Sequence, residues 1–328
     1  MPAPTLHVAP SPHVSNRSLT TRSVMVDVLV ALAPVVIASV IYFRLDAVKV
    51  LAITTASAMI FEWLFTKLGD GKSNLGDGSA AITGIILGLS FPWTTPWWIC
   101  VIGAMTAIGL GKAAFGGLGQ NIFNPAMAGR AFVMISFSAY LGANAYVDVH
   151  AAGTFLSQAT PLTAARTGAL FPELWPLFVG NTNGSLGETS ALAALLGGLY
   201  LVIRRTASWE IPVAMFAAMI ALAGATQLFV GPNPALATMK LTVLQHLLSG
   251  AFTFGAFFIA TDPVTSPMTR SGKFWFGAGL SFFVWVLRVF SNYPEGLMFA
   301  VLLMNAVVPL LNRWTVPTPV GGPVPKRA

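Results

Sequence analysis

The side chain with the clearest chemical use is the hydroxyl of Thr160, in a polar segment that contains Ser157, Ala159 and Pro161. A threonine hydroxyl is a weak nucleophile without a base or a metal, and no His, Asp or Lys flanks Thr160. The residue before a proline is kept out of the helical region, so this hydroxyl is expected in extended, accessible backbone. The sequence therefore favours Thr160 as an acceptor of a chemical group over a catalyst. The alternative is an ordinary threonine in a solvated loop.

The rest of the chain has the composition of a polytopic membrane protein. Of its 328 residues, 55% are hydrophobic and 9% are charged, and the mean hydropathy is +0.74, far outside the range of soluble proteins. The single cysteine, Cys100, excludes an intrachain disulfide and a cysteine-held iron–sulfur cluster. The four histidines are too scattered for a zinc site. The net charge of +7 comes from basic residues dispersed in short loops, so we expect no nucleic-acid binding.

Apolar segments predict an all-α protein with ten transmembrane helices. Residues 1–22 are polar and precede an apolar stretch that no small-residue cleavage site follows, so we predict an uncleaved first helix. Several segments are short or interrupted by Gly and Pro. The predicted helices cover residues 24–43, 48–66, 80–92, 97–113, 124–142, 188–203, 211–229, 244–261, 274–291 and 295–312.

The positions of Lys and Arg predict that both termini are cytoplasmic. With the amino terminus inside, the outer loops contain only Arg44, Lys49, Arg166 and Lys240, and the segment 143–187, which carries Thr160, is extracytoplasmic. Basic residues collect on the cytoplasmic side of membrane proteins, which supports this orientation. The inner side contains twelve of them: Arg17, Arg22, Lys67, Lys72, Lys112, Arg204, Arg205, Arg270, Lys273, Arg313, Lys326 and Arg327.

An internal similarity suggests two five-helix halves, 23–142 and 188–313, followed by a cytoplasmic tail at 314–328. The sequence 92–96, Pro-Trp-Thr-Thr-Pro, ends the third predicted helix, and 263–267, Pro-Val-Thr-Ser-Pro, ends the eighth. These helices are five apart and run in opposite directions, as in an inverted repeat, which commonly places a ligand or ion path between its halves. Chance similarity in a proline-rich chain is the alternative. Paired glycines precede both sequences and allow close helix approach or a helix break: Gly84, Gly88, Gly250 and Gly255.

Several motifs, in order along residues 20–313, resemble the RnfD subunit of Rnf-type electron-transport complexes. They are also similar to the B subunit of the sodium-translocating NADH:quinone reductase. The Thr-Pro-Leu continuation after Ala159 and the modest chain length favour the RnfD type. Besides 157–160, the matching sequences are Gly119–Ala126 (GQNIFNPA), Gly184–Ser190 (GSLGETS), Ala260–Pro267 (ATDPVTSP) and Tyr293–Gly296 (YPEG).

This resemblance implies that Thr160 carries FMN through a phosphodiester bond, attached by a separate flavin transferase on the outer side of the membrane. The predicted topology places Thr160 on that side. The chain departs from the family pattern at Thr154, where an acidic residue is common, and Asp148 is too distant to replace it. Thr163 is the next candidate acceptor. The resemblance also implies a second, noncovalent flavin, riboflavin, among the helices.

The wall of this second flavin site is expected between Asn121 and Arg130. Gly116, Gly117 and Gly119 resemble a ligand loop, but no predicted strand precedes them, so a nucleotide-binding fold is excluded. Asn121 and Asn124 are instead expected to cap the next helix and to offer hydrogen bonds to a flavin edge. A purely structural capping role is the alternative. The candidate cofactor-binding residues are thus Thr160, Ser157, Ala159, Asn121, Asn124 and Arg130.

Charged residues within the predicted helices are expected to find partners in the protein. A charge in lipid is costly, so Arg130 and Arg288 should face the bundle and pair with carboxylates. The carboxylates near helix ends suit caps or ion pairs better than an ion pathway: Glu62, Glu188, Asp262 and Glu295. The tryptophans at the outer ends of the third and fourth helices predict an interfacial aromatic belt: Trp93, Trp97 and Trp98.

Three functions follow as hypotheses. The resemblance implies a bacterial inner-membrane subunit that passes electrons between flavins within an ion-translocating ferredoxin:NAD oxidoreductase complex. Its implied partners are the other Rnf-type membrane subunits, an outer-facing FMN-carrying subunit, iron–sulfur and NAD-binding subunits, the flavin transferase and membrane lipid. An inverted-repeat channel or secondary transporter is the second hypothesis. A structural anchor is the third. Bound flavin distinguishes the first from the others.

Overall fold

The computed structural model describes residues 20–69, 75–142, 160–162, 173–229, 241–291 and 295–317. Helix α1, Thr21–Leu68, contains one residue outside helical geometry, Arg44, with φ 53° and ψ −132°. Met25 and Glu62 both lie beside the start of the next helix, Met25 near Gly78 and Glu62 through Lys112. A straight helix would separate these two residues by about 55 Å. The chain therefore reverses at Arg44, which matches the predicted boundary between the first two apolar segments.

The described residues contain further helices but no strand. Short α5, α6 and α9 join longer elements, and a π-helical turn, Gly255–Ile259, follows α10 directly. In chain order the helices are α2 (Ser79–Leu89), α3 (Trp97–Gly109), α4 (Pro125–Ser136), α5 (Ser138–Leu141), α6 (Leu174–Val179), α7 (Ala191–Ile203), α8 (Glu210–Phe229), α9 (Val243–Leu248), α10 (Phe252–Phe254), α11 (Arg270–Phe290) and α12 (Leu297–Trp314).

Five of the described helices are long and apolar enough to span a membrane, in agreement with a multi-pass membrane protein. They are α1, α8, α11, α12 and the segment Trp97–Phe115 that begins with α3. Helices α2 and α7 are apolar but shorter. The following remain predictions: the ten transmembrane spans, the inverted repeat, the division of the chain into five segments, and the cytoplasmic location of both termini.

Glycines bring the first helices into close contact. A methyl group placed on Gly84 of α2 would lie 2.5 Å from Thr55 Cα, and one on Gly129 of α4 would lie 2.5 Å from the carbonyl oxygen of Gly103 in α3. These contacts join backbone to backbone, so only glycine fits at either position. Helix α4 is thereby held directly against α3. The prediction that Gly84 allows close helix approach is confirmed.

The eighth predicted helix, 244–261, is wrong as one continuous helix. Helix α9 ends before Gly250, whose φ of +66° is outside the helical range, and the chain resumes with α10. A break inside a membrane protein leaves carbonyl groups that must be satisfied by protein. Here the buried Arg288 donates to the carbonyl oxygens of His246, at 2.6 Å, and Ser249, at 2.8 Å. The break is therefore stabilised by a charged side chain from α11.

Candidate functional site

Thr160 lines a cavity of about 570 Å³ including its open mouth, which we call the Thr160 cavity. Helix α4 contributes Arg130 and Met134 to its wall. The loop before α7 contributes Glu188, and Glu295 also lines the cavity, beside Gly250 in the helix break. Two parts of the chain that are distant in sequence thus surround the predicted acceptor hydroxyl. The cavity combines charged and apolar walls.

Arg130 forms a buried ion pair at the wall of the Thr160 cavity. Its Nη1 donates to Glu188 Oε1 at 2.8 Å, and the two side chains are 8% and 7% exposed. Its Nη2 also donates to the hydroxyl of Ser185 at 3.4 Å. The prediction that Arg130 faces the bundle and pairs with a carboxylate is confirmed. Glu188 is an ion-pair partner, as the sequence favoured.

A second buried pair, Arg288 with Glu295, lies behind the same cavity. Arg288 Nη2 is 3.7 Å from Glu295 Oε2, and the Arg288 side chain is fully buried. Glu295 also accepts from the backbone N–H of Ala251 at 3.1 Å, across the helix break. Glu295 lies between α11 and α12, and burial raises the pKa of its carboxyl. Arg288 opposes this rise in pKa, whereas the charge of Glu188 adds to it.

A second and larger cavity, of about 830 Å³ including its open mouth, lies at the start of α4. We call it the Asn124 cavity. Two phenylalanines of the π-helical turn, Phe257 and Phe258, form part of its wall, and π-helical turns frequently occur at functional sites. Its other apolar walls come from α1, α2 and α7: Val24, Met25, Val28, Ile82, Ile86 and Leu201.

Two polar side chains in the wall of the Asn124 cavity, Asn124 and Asp262, contact each other. Asn124 caps α4 by accepting from the N–H of Met127 at 3.2 Å, and its Nδ2 is 3.4 Å from Asp262 Oδ2. Asp262 lies in the connection between the π-helical turn and α11, and burial raises the pKa of its carboxyl. Hydrogen bonds from Val264 N–H, Thr265 and Asn124 oppose that rise. The predicted cap at Asn124 is confirmed.

Asn121 does not cap the helix. Its Nδ2 donates to the carbonyl oxygen of Phe123 at 3.2 Å. Its Oδ1 is buried and has no hydrogen-bond partner among the described residues. A buried amide oxygen without a partner costs free energy unless a ligand or water supplies a donor. Asn121 therefore presents an unused acceptor next to the Asn124 cavity, which it lines.

Lys112 contributes a buried cation to the wall of the Asn124 cavity. Its Nζ lies 2.6 Å and 2.7 Å from the two carboxylate oxygens of Glu62 and donates to Ser79 Oγ at 2.6 Å. Lys112 is 2% exposed. All three donors of its ammonium group are engaged, so this pair fixes the end of α1 against the start of α2. The expected structural role of Glu62 is confirmed.

The structure separates the predicted site residues into two groups. Thr160 and Arg130 line the Thr160 cavity, whereas Asn121 and Asn124 line the other one. Ser157 and Ala159, like Thr154 and Thr163, lie outside the described residues. Sequence reasoning did not identify Lys112, Phe257 or Phe258. A lysine in an otherwise apolar stretch was the available signal for Lys112, whereas a π-helical turn has no clear sequence pattern.

The chemistry of each cavity suits a different part of a flavin. The Asn124 cavity offers aromatic and aliphatic walls with a smaller number of polar groups, as pockets for organic ligands do. Thr160 and Arg130 both line the Thr160 cavity, and a guanidinium is the side-chain group that best matches an anionic phosphate group. Among the residues that the structure describes, no group of three or more His, Cys, Asp or Glu side chains is arranged to hold a metal ion.

Comparison with known proteins finds similar sequences over nearly the whole chain. The model of the NQR2, RnfD, RnfE family matches residues 7–321. The chain is 36% identical over 312 residues to the D subunit of the Na(+)-translocating ferredoxin:NAD(+) oxidoreductase complex of Acetobacterium woodii, and the alignment covers 94% of this chain and 93% of the relative.

Two further relatives show the same extent of similarity. The D subunit of the proton-translocating ferredoxin:NAD(+) oxidoreductase complex of Clostridium ljungdahlii is 35% identical over 332 residues, covering 96% of both chains. The D subunit of the ion-translocating oxidoreductase complex of Stutzerimonas stutzeri is 39% identical over 329 residues, covering 91% of both chains. Since the family model and these alignments extend over nearly the whole sequence, the chain belongs to the NQR2, RnfD, RnfE family.

Proposed function

We propose that this protein is the flavin-carrying membrane subunit, of the RnfD type, of an ion-translocating ferredoxin:NAD oxidoreductase complex. The observation that carries the proposal is Thr160, which matches the family's acceptor motif and lines a cavity that holds a buried Arg130. The names of full-length relatives support the assignment to such a complex. Those names differ in the ion, sodium or proton, so the proposal concerns electron transfer and leaves the ion to the complex.

In this proposal Thr160 carries FMN through a phosphodiester bond between its hydroxyl oxygen and the flavin phosphate. A flavin transferase catalyses the step, because no His, Asp or Lys flanks Thr160 in the sequence to activate its hydroxyl. The donor is a flavin adenine dinucleotide: its pyrophosphate bond breaks, AMP leaves, and the hydroxyl proton passes to a base of the transferase. The bound flavin supplies the redox chemistry, while the protein provides position and electrostatic environment. Arg130, held by Glu188 at 2.8 Å, presents a cation to the phosphate. Met134 and Leu162 provide apolar walls that limit water.

The Asn124 cavity is the proposed site of the noncovalent riboflavin. Phe257 and Phe258 would contact the ring, and aromatic contacts of this kind favour flat ligands. Asn121 Oδ1, which has no partner among the described residues, would accept a hydrogen bond from the ring edge. The Lys112 ammonium, already paired with Glu62, would stabilise negative charge nearby. These residues orient and shield the ring, and none of them needs to change its covalent state.

In-gel fluorescence tests the covalent part of the proposal. The complete chain is expressed with a matching flavin transferase, denatured, separated on a gel and viewed under ultraviolet light, beside Thr160→Ala and Thr163→Ala. We expect a fluorescent band for the wild type and for Thr163→Ala, and none for Thr160→Ala. A dark wild-type band despite an active transferase would contradict the proposal. Fluorescence lost only in Thr163→Ala would move the acceptor to Thr163.

A channel or secondary transporter is the second candidate, favoured by the helix break at Gly250 beside a cavity. Broken helices commonly form substrate or ion sites in transporters. A plain transporter has no need for flavin, so the purified protein would be colourless. A yellow protein whose chromophore persists through purification would support the electron-transfer subunit. A colourless protein that moves a solute across liposome membranes would establish the alternative.

A further inference from the structure

Four buried charges form one group around the Thr160 cavity, which we call the charge quartet. They are two ion pairs, Arg130 with Glu188 at 2.8 Å and Arg288 with Glu295 at 3.7 Å. Their side chains are 8%, 7%, 0% and 13% exposed, in that order. The charges of Glu188 and Arg130 both act on Glu295, so the two pairs are electrostatically connected. With two basic and two acidic side chains, the quartet has a formal net charge of zero.

The position of the charge quartet gives it a strong influence over the cavity. Arg130, Glu188 and Glu295 line the same cavity as Thr160, and Arg288 lies directly behind Glu295. Fields from buried charges are screened much less than those from charges in water. A group attached to Thr160 would begin at the wall of this cavity, which Thr160 lines. Its phosphate anion, and any charge that appears on the group, would therefore interact with all four side chains.

Stability of the fold does not require so many charges here. Buried ion pairs contribute little net stability, since desolvation offsets their attraction, and apolar replacements are often equally stable. Arg288 has a structural task in the helix break, where it donates to two carbonyl oxygens. Arg130 donates to the side chains of Glu188 and Ser185, and both Arg130 and Glu188 line the cavity wall. This position gives their ion pair a direct electrostatic effect on a group held in the cavity.

We propose that the charge quartet sets the reduction potential of the flavin on Thr160, and this inference rests on the function proposed above. Reduction transfers an electron from the reductant to the flavin ring, which gains negative charge when no proton accompanies the electron. Loss of a quartet cation leaves a net charge of −1 and disfavours reduction. Loss of a quartet anion leaves +1 and favours it. The complete quartet, with no net formal charge, keeps the reduction potential of the flavin between the values expected after loss of a cation and after loss of an anion.

A redox titration of the purified flavinylated protein with dithionite tests the proposal. The samples are the wild type, Arg130→Gln, Glu188→Gln, the double variant Arg130→Gln/Glu188→Gln and the charge-conserving Arg130→Lys. For a ring within about 10 Å of the lost charge, an effective dielectric constant of about 20 gives a change of roughly tenfold in the ratio of reduced to oxidised flavin. Tenfold corresponds to about 59 mV for a one-electron step.

We expect the potential to fall in Arg130→Gln and to rise in Glu188→Gln. It should return close to the wild-type value in the double variant and in Arg130→Lys, because both keep the quartet neutral. A single unpaired charge can prevent folding, and in that case Glu295→Gln should raise the potential instead, because Glu295 is the most exposed of the four side chains and Arg288 keeps its two carbonyl acceptors. Shifts in the same direction for loss of either charge, or no shift in any variant, would overturn the inference.

Gel fluorescence of the same samples distinguishes this inference from the function on which it rests. Bright bands in all variants with unchanged potentials reject the role of the quartet and leave the covalent flavin intact. A dark wild-type band rejects both. A merely structural pair would alter stability without opposite shifts in potential, so the sign of the shift is the decisive measurement.

Discussion

Asn124 and Arg130 lie six residues apart at the start and middle of helix α4, yet they line two different cavities. Six residues of α-helix rise about 9 Å. Asn124 caps the helix and contacts Asp262, whereas Arg130 reaches Glu188 on the other side. One rigid element therefore fixes the distance between the two proposed flavin sites.

Contacts on either side of α4 hold the helix, and with it both proposed flavin sites, in place. Gly129 packs against the carbonyl oxygen of Gly103, so α4 has no room to shift toward α3. Asn305 of α12 accepts from the N–H of Asn124 at 3.1 Å and donates to the carbonyl oxygen of Thr265 at 3.0 Å. A fixed separation suits electron transfer between bound groups better than large rearrangement. The second half of the protein thus contributes directly to the position of α4.

The buried pair of Lys112 and Glu62 gives the first prediction, on stability. Lys112→Met leaves the Glu62 carboxylate buried without its cation, and we expect a loss of about 3–5 kcal/mol in the free energy of unfolding. The double variant Lys112→Met/Glu62→Leu removes both charges and should recover most of that loss. Unfolding in mixed detergent micelles, followed by tryptophan fluorescence, measures the difference.

The control for this experiment is Lys49→Met. Lys49 pairs with Asp46 at 2.9 Å, but its side chain is 68% exposed. Exposed pairs contribute little to stability, so we expect almost no change. Equal losses in Lys49→Met and Lys112→Met would show that burial of the Lys112 pair has no special effect.

The sequence was sufficient to predict elements that depend on composition and local pattern. Apart from the eighth segment, which breaks at Gly250, and the fifth, 124–142, which is interrupted at Phe137, the apolar segments predicted helices that the structure places within a few residues. Long apolar runs in a membrane protein must be helical. The cap at Asn124 was predictable from Asn followed by Pro, which is a local signal. The buried partners of Arg130 and Arg288 were predictable as a class, since unpaired charges are too costly in lipid.

Features that depend on long-range contacts were not predictable. The separation of Asn121 and Asn124 from Arg130 into two cavities follows from the elements that pack around α4, which the sequence does not reveal. The helix break at Gly250 is stabilised by Arg288, which lies 39 residues after its acceptor Ser249. Glycine indicated that a break was allowed, but Gly84 in a similar setting packs in a continuous helix. Whether the helix breaks or continues at such a glycine depends on a distant partner, as Arg288 shows at Gly250.

Packing of α2 against α1 gives the second prediction. A methyl group at Gly84 would lie 2.5 Å from Thr55 Cα and 2.9 Å from the carbonyl oxygen of Thr54. Neither backbone atom can move unless the helices separate, so Gly84→Ala should destabilise the protein by about 1–3 kcal/mol or more. The same unfolding assay measures this loss.

Gly224→Ala is the matched control for Gly84→Ala. Gly224 lies within α8, and a methyl group there would meet no atom within 4 Å. Alanine forms helices better than glycine, so this variant should be neutral or slightly more stable. Destabilisation of both variants to the same extent would contradict the role of close helix contact at Gly84.

The last prediction concerns the Asn124 cavity and its proposed riboflavin. Ala207 lines this cavity and is 8% exposed. The large side chain in Ala207→Trp would occupy space that a flat ligand needs, so we expect roughly a tenfold loss, or more, of the flavin released on denaturation. The flavin that stays attached to the denatured chain should be unchanged, because Thr160 lines a different cavity. Chromatography of the released flavin and gel fluorescence measure the two populations separately.

Ala221→Trp on the exposed face of α8 controls for the added bulk. It should retain both flavins, since it reaches neither cavity. Loss of released flavin in Ala221→Trp as well would indicate general damage to the fold. Normal riboflavin content in Ala207→Trp would place the noncovalent flavin outside the Asn124 cavity, because an indole ring and an isoalloxazine ring compete for the same walls at Phe257 and Phe258.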